Sequence, residues 1–144
     1  MSYRIVTDTS CDFPQEMYAQ LGLTAVPLSV NYKNETHTHY TESWLKELYA
    51  GLRAGEPATT SAANPQDWES IIRPILEAGE DVLVLAFSSG LSTTYQSAVI
   101  AAGELAEAFP QRKIYVVDTR SASLGQGLLV YYACKQKEKG LSLE

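Results

Sequence analysis

Between Asp81 and Phe87 the chain reads DVLVLAF, then breaks at once into SSGLSTTYQSA. A continuous apolar run of that length, rich in β-formers, suits a central parallel strand covered on both faces. Parallel strands need crossover connections, usually helices, so this one run already points to a layered α/β domain.

The rest of the chain fits that frame. YRIVTD (Tyr3 to Asp8) reads as a first strand. FPQEMYAQLG then reads as a helix, with Asp12 as its N-cap, Pro14 in the first turn and Gly22 as its stop. LTAVPLSVNY (Leu23 to Tyr32) reads as extended, with Pro27 marking an irregularity, and KNETHTHYT reads as a polar connection. Trp44, Leu45, Leu48 and Leu52 recur at helical spacing up to Gly55. After EPATTSAA, Asn64 and Pro65 supply an N-cap and an N1 proline for a helix whose buried stripe is Trp68, Ile71, Ile72, Ile75 and Leu76. Pro74 inside that stripe predicts a kink or a restart. STTYQSAVIAAGELAEAF predicts a helix capped by Ser92. KIYVVD (Lys113 to Asp118) predicts another strand, and LLVYYACKQKEKG a last helix closing at Gly140. The expected fold class is α/β, a mainly parallel sheet flanked by helices, in one domain spanning residues 1–144.

Composition narrows the function classes. Hydrophobic residues at 45% against charged residues at 19% are a globular balance. Eleven basic against 17 acidic residues give a net charge of −6, which repels nucleic acid and anionic membrane alike. No apolar run approaches the roughly 20 residues that span a bilayer. No signal peptide is evident, and Cys11 and Cys134 form no paired motif, so a cytoplasmic protein without stable membrane insertion is expected.

Ligands of open α/β sheets sit outside the carboxyl ends of the strands. The segments expected there, TDTSCD, FSSGLSTT and DTRSASLGQG, are all rich in Ser and Thr, and TTSAANP resembles them ahead of its own helix. Capping and turn chemistry explain any one of these. Several on one rim indicate a site. FSSGLS is not a G-x-S-x-G nucleophile elbow, and the two histidines, His37 and His39, lie in the polar connection away from it. That pair lacks a third metal ligand nearby. There is no P-loop, and SLGQG falls short of a dinucleotide fingerprint. What remains is an anion, carboxylate or phosphate, held by neutral donors at helix starts: backbone N–H groups and the hydroxyls of Thr60, Ser61, Ser92 and Thr93. A long acyl chain would add affinity, at about 0.8 kcal/mol per buried CH₂. Asp8, Asp12 and Asp118 near strand ends leave open a hydrolase or transferase acting on a small acylated or phosphorylated substrate. An interaction module without ligand is a third reading.

Five stretches in order, TDTSCDFP, AVPLSV, TTS, SSGLSTTYQSA and VVDTRSASLGQGLLV, resemble the DegV family over nearly the whole chain. The family is similar to the fatty-acid-binding subunits of bacterial fatty acid kinase, which are not catalysts themselves. The resemblance implies a long-chain fatty acid as ligand, no cofactor, no metal, and a separate kinase catalytic subunit as partner. It implies that Thr60, Ser61 and Ser92, with Thr93 beside them, hold the carboxylate. The chain departs from the family in reading TSAANP where TSQPSP is usual, and in carrying Thr93 where a glycine usually follows the serine. It also corresponds only to the family's first domain, and the apolar surface so uncovered makes a homodimer of this short form an expectation.

Overall fold

The computed structural model describes residues 2–144. Two sheets of opposite character are built from seven strands. The larger takes β1 (Tyr3–Asp8), β2 (Thr24–Val26), β6 (Asp81–Ala86) and β7 (Ile114–Asp118) in the order β2-β1-β6-β7, every pair parallel. The smaller is antiparallel, with β3 (Ser29–Tyr32) between β4 (Glu35–His37) and β5 (Ala58–Ser61). Among the described residues, five α-helices accompany these strands: α1 (Gln15–Leu21), α2 (Glu42–Arg53), α3 (Pro65–Glu77), α4 (Thr94–Ala108) and α5 (Ser123–Glu138).

β6 alternates its side chains between two cores, as a strand buried on both faces must. Val82, Val84 and Ala86 pack with Val6, Val26 and the α3–α4 residues Trp68, Ile72, Leu76, Ala98, Ala101 and Leu105. Leu83 and Leu85 face Ile5, Leu23, Val130 and Cys134 on the side of α1 and α5. The α3 stripe is the amphipathic face expected of the sequence, and its start is the expected one too. Asn64 Oδ1 accepts from the Asp67 N–H at 3.0 Å while Asp67 returns a bond to the Asn64 N–H at 2.8 Å, a capping box. The helix nevertheless runs through Pro74 without a restart, because Pro74 lies on the exposed face, where the carbonyl it leaves unbonded can meet water.

Three expectations are corrected. Asp12 does not cap α1. Asp8 ends β1 by accepting from the Ser10 N–H, a short 3-10 turn follows over Thr9–Cys11, and Asp12 closes that turn in the left-handed region (φ 54°). Leu23–Tyr32 is not one extended segment. It splits at Pro27 into β2 and β3, which belong to different sheets. The polar connection contains β4, hairpinned to β3 through Lys33 and Asn34 at φ 51° and 63°.

Candidate functional site at the edge of the parallel sheet

β1 leads through α1 to β2 on one side of it, whereas β6 leads through α4 to β7 on the other. The two connections cover opposite faces of the sheet, so the loops after β1 and β6 diverge and leave a crevice at their carboxyl ends. A cleft of about 320 Å³ occupies that position. Thr9, Ser10 and Asp12 line it from the turn after β1, and Phe87, Leu91 and Ser92 from the loop after β6. The small sheet leans over the same edge, adding Leu28, Ser29 and Val30 around β3 and Thr60, Ser61 and Ala62 around the end of β5, with Tyr40 closing the rim.

Of the four candidate residues, Thr60, Ser61 and Ser92 therefore meet in one cleft, and Thr93 stands beside it at the cap position of α4. Their settings differ from the expected pair of helix starts. Thr60 and Ser61 are strand residues, registered against Val30 and Ser29 of β3, and the α3 cap begins only at Asn64. Strand alternation turns Thr60 and Ser61 to opposite faces. Asn31 Nδ2 makes long contacts with Thr59 Oγ1 (3.4 Å) and Ser61 Oγ (3.5 Å), so Ser61 shares its face with them and Thr60 takes the other. Ser92 is a helix-start residue, as expected, although one position earlier than the cap. Its Oγ accepts from the Thr94 N–H at 3.1 Å and lies 2.8 Å from Thr94 Oγ1. Thr93 makes no side-chain cap bond. Among the described residues, the backbone N–H groups of Thr93, Tyr95 and Gln96 have no protein acceptor, so the positive end of α4 keeps three free donors next to Ser92.

The loop carrying Ser92 is fixed on both sides. Ser88 N–H donates to the Ser121 carbonyl, and the Ser88 carbonyl receives both the Leu91 and Ser92 N–H groups. Ser89 donates through its N–H (3.2 Å) and hydroxyl (2.5 Å) to Asp118, which also accepts from the Arg120 N–H. The Ser89 hydroxyl, and then the Arg120 N–H, hold the Asp118 carboxyl below the usual aspartate range. Ser88 and Ser89 thus shape the loop. On the opposite wall, Thr9 Oγ1 accepts from the Leu28 N–H at 2.9 Å and the Tyr40 hydroxyl donates to the Leu28 carbonyl at 2.7 Å. Thr9 and Tyr40 are site-building residues that sequence reasoning passed over. Thr9 lies in the rim segment TDTSCD, from which only Asp8 and Asp12 were singled out, and nothing local links Tyr40 to Leu28.

Asp8 lies directly behind the cleft and is fully buried. It accepts from the Phe87 N–H at 2.8 Å, the Ser10 N–H at 3.1 Å and Gln126 Nε2 at 3.2 Å. Burial pushes its carboxyl above the ordinary aspartate range, while the bonds from Ser10, Phe87 and Gln126 pull the other way. Its burial leaves it no contact with a substrate. Among the described residues, no group of three or more His, Cys, Asp or Glu is arranged to hold a metal ion. His37 instead packs its ring 4.5 Å from that of Trp44. No described helix is long and apolar enough to cross a membrane.

Comparison with known proteins supports the fold. A DegV domain-containing protein of Clostridium perfringens is 40% identical over 142 residues, which cover 97% of this chain and 49% of that protein. Among solved structures, a DegV family protein from Thermus thermophilus, described for its fatty acid binding, superposes with a TM-score of 0.86 at 40% identity over 99% of this chain and 50% of its own. A stearic-acid-binding protein from Eubacterium ventriosum superposes with a TM-score of 0.87 at 25% identity over 98% and 49%. This chain thus spans about half the length of the relatives it matches. The family model described as an uncharacterised protein of the DegV family matches residues 2–144, and with a parallel sheet, hydroxyl-lined edge and relatives all of one kind, this chain belongs to the DegV family.

Proposed function

We propose that the cleft receives the carboxylate of a long-chain fatty acid, and that the full-length protein presents that carboxylate to a separate kinase for acyl-phosphate formation. The observation that carries this reading is the meeting of Thr60, Ser61 and Ser92 on one cleft beside the free N–H groups of α4, with no Lys, Arg or His in the lining and Asp12 its one acid. Such a site stabilises an anion by directed neutral dipoles. Leu28, Val30, Phe87 and Leu91 begin an apolar path for the chain. Thr93 contributes its backbone N–H. The ligands described for the Thermus and Eubacterium proteins support the same ligand class. The kinase partnership and a cytoplasmic setting extend the family resemblance, and two unpaired, buried thiols suit a reducing compartment. In this reading the protein binds and delivers, needs no cofactor, and residues 1–144 form the first of two domains.

The test is binding. Ser92→Ala should weaken palmitate affinity by about 1–2 kcal/mol, roughly 5- to 30-fold, through loss of one donor to the head group. Because Ser92 also accepts from the Thr94 N–H, a parallel unfolding curve must show the variant folded. A folded variant with unchanged affinity would move the head group elsewhere, and palmitate failing to bind the full-length protein would end the reading.

A second proposal concerns association. Tyr115 and Val117 are registered beside Leu83 and Leu85 on the face that α5 covers only over β1 and β6, and they stay exposed. α5 itself carries Leu124, Leu128 and Tyr132 along its outer side. An apolar surface of this kind favours association of two copies. Sedimentation should detect a concentration-dependent dimer that Leu128→Glu dissociates; a wild-type monomer at every concentration would refute it.

A further inference from the structure

The Ser10 hydroxyl lies between two oxygens, 2.5 Å from Asp8 Oδ1 and 2.6 Å from Gln126 Oε1. A serine hydroxyl carries one proton and cannot donate to both. The orientation of the Gln126 amide is fixed by its surroundings. Its nitrogen lies 3.0 Å from Thr7 Oγ1 and 3.2 Å from Asp8 Oδ1, and Thr7 has already given its own proton to the Leu85 carbonyl at 2.7 Å. Turning the amide over would set an oxygen against two acceptors. The amide oxygen therefore faces Ser10, and Ser10 is its donor. With that proton committed, the 2.5 Å contact between Ser10 Oγ and Asp8 Oδ1 requires a second one, and the carboxyl is its source. Leaving it out would press lone pair against lone pair beside a buried amide oxygen.

We propose that Asp8 is held at neutral pH as the uncharged acid, donating to Ser10, which donates to Gln126, so that its buried carboxyl adds no negative charge behind the cleft that receives a carboxylate, whose lining already includes Asp12. The proposal rests on the carboxylate reading of the cleft. Asp8 and Gln126 are fully buried, no Lys, Arg or His pairs with Asp8 among the described residues, and Ser10 is both the middle of the relay and part of the cleft wall. A buried carboxylate without a cation is the case in which protonation is the cheaper state. Around Asp8, the turn after β1 presents the Cys11 thiol and Asp12, and α1 presents the Tyr18 phenol. β6 and the loop after it offer the Phe87 N–H, and α5 offers the Gln126 amide. Burial raises both Cys11 and Tyr18, so each stays neutral alongside Asp8.

Carboxyl carbon NMR of the aspartates, with Asp8 assigned through its own backbone so that no variant is needed, reads the proton directly. The expected result is an Asp8 carboxyl still protonated at neutral pH. Titration of Asp8 together with the exposed aspartates would overturn the proposal, whether or not lipid binds. Since its folded pKa lies above the unfolded one, stability present in acid is lost as pH rises through that titration. Palmitate affinity should fall over the same interval, by up to about tenfold per pH unit between the titrations of the free and liganded protein, while hexadecanol affinity stays level. A palmitate affinity that is flat through the Asp8 titration would refute the electrostatic role. Palmitate absent at every pH from a protein whose Asp8 stays protonated would instead end the carboxylate reading of the cleft, and the electrostatic role with it, while leaving the proton where it is.

Discussion

Trp68→Ala is expected to lower the free energy of unfolding by about 3–5 kcal/mol, the range for truncating a fully buried aromatic side chain. Trp68 is completely buried at the centre of the α3–α4 core, among Val6, Val84, Ala98 and Ala101. Its loss leaves a void lined by several elements at once, which close packing fills only in part. The indole also has a positional duty. Nε1 donates to the Thr94 carbonyl at 3.1 Å, so α3 holds the first turn of α4, where the free N–H groups and Ser92 meet the cleft. Trp68→Phe separates the two effects. It retains most of the volume but removes the indole bond to the Thr94 carbonyl, which still accepts along α4, and should cost about 0.5–1.5 kcal/mol. Urea titration checks both values; the midpoint should shift with an unchanged slope. Two variants of equal stability would show that Trp68 contributes through its hydrogen bond alone, and an Ala variant as stable as the wild type would remove it from the core.

The legible parts of this fold share a physical cause. β6 announced itself because a strand covered on both faces has no polar residue after Asp81 to dilute its pattern. α3 was legible down to its first residue because the Asn64–Asp67 box and Pro65 act within one turn of chain. The antiparallel sheet was not. Its central strand pairs Val30 with Thr60, 30 residues apart in sequence, and no local signal records such a partner. β4 is largely exposed, so it lacks the alternation that marks a half-buried strand. The hydroxyl-rich segments do meet at one cleft, yet Thr60 and Ser61 sit on a strand and not at the expected helix start, because the strand that carries them reads as a loop. Asp12 failed as a cap for a related reason. Asp8, four residues earlier, turns the chain first, and the turn it makes uses Asp12 to stop.

The glycine-rich SLGQG was too sparse to be a nucleotide fingerprint, and its structural use predicts a second large effect. Gly127 lies on the buried side of α5, where an added Cβ would come within 2.7 Å of the Phe13 ring and 2.9 Å of the Cys11 carbonyl oxygen. The ring could swing aside. The carbonyl belongs to the turn after β1 and cannot move without carrying Ser10 and Asp12 with it. Gly127→Val is therefore expected to cost about 1–3 kcal/mol by overpacking, against a small gain from removing glycine from a helix interior. Its consequence reaches the cleft because Gln126, the neighbouring residue, is what ties α5 to Thr7, Asp8 and Ser10. Displacing α5 lengthens those bonds together, so palmitate affinity should fall along with stability, although Gly127 itself does not line the cleft. Calorimetry of unfolding and of binding on the same sample checks this. A variant that loses stability but binds palmitate as the wild type does would show that the contact of α5 with the turn supports the fold without shaping the site.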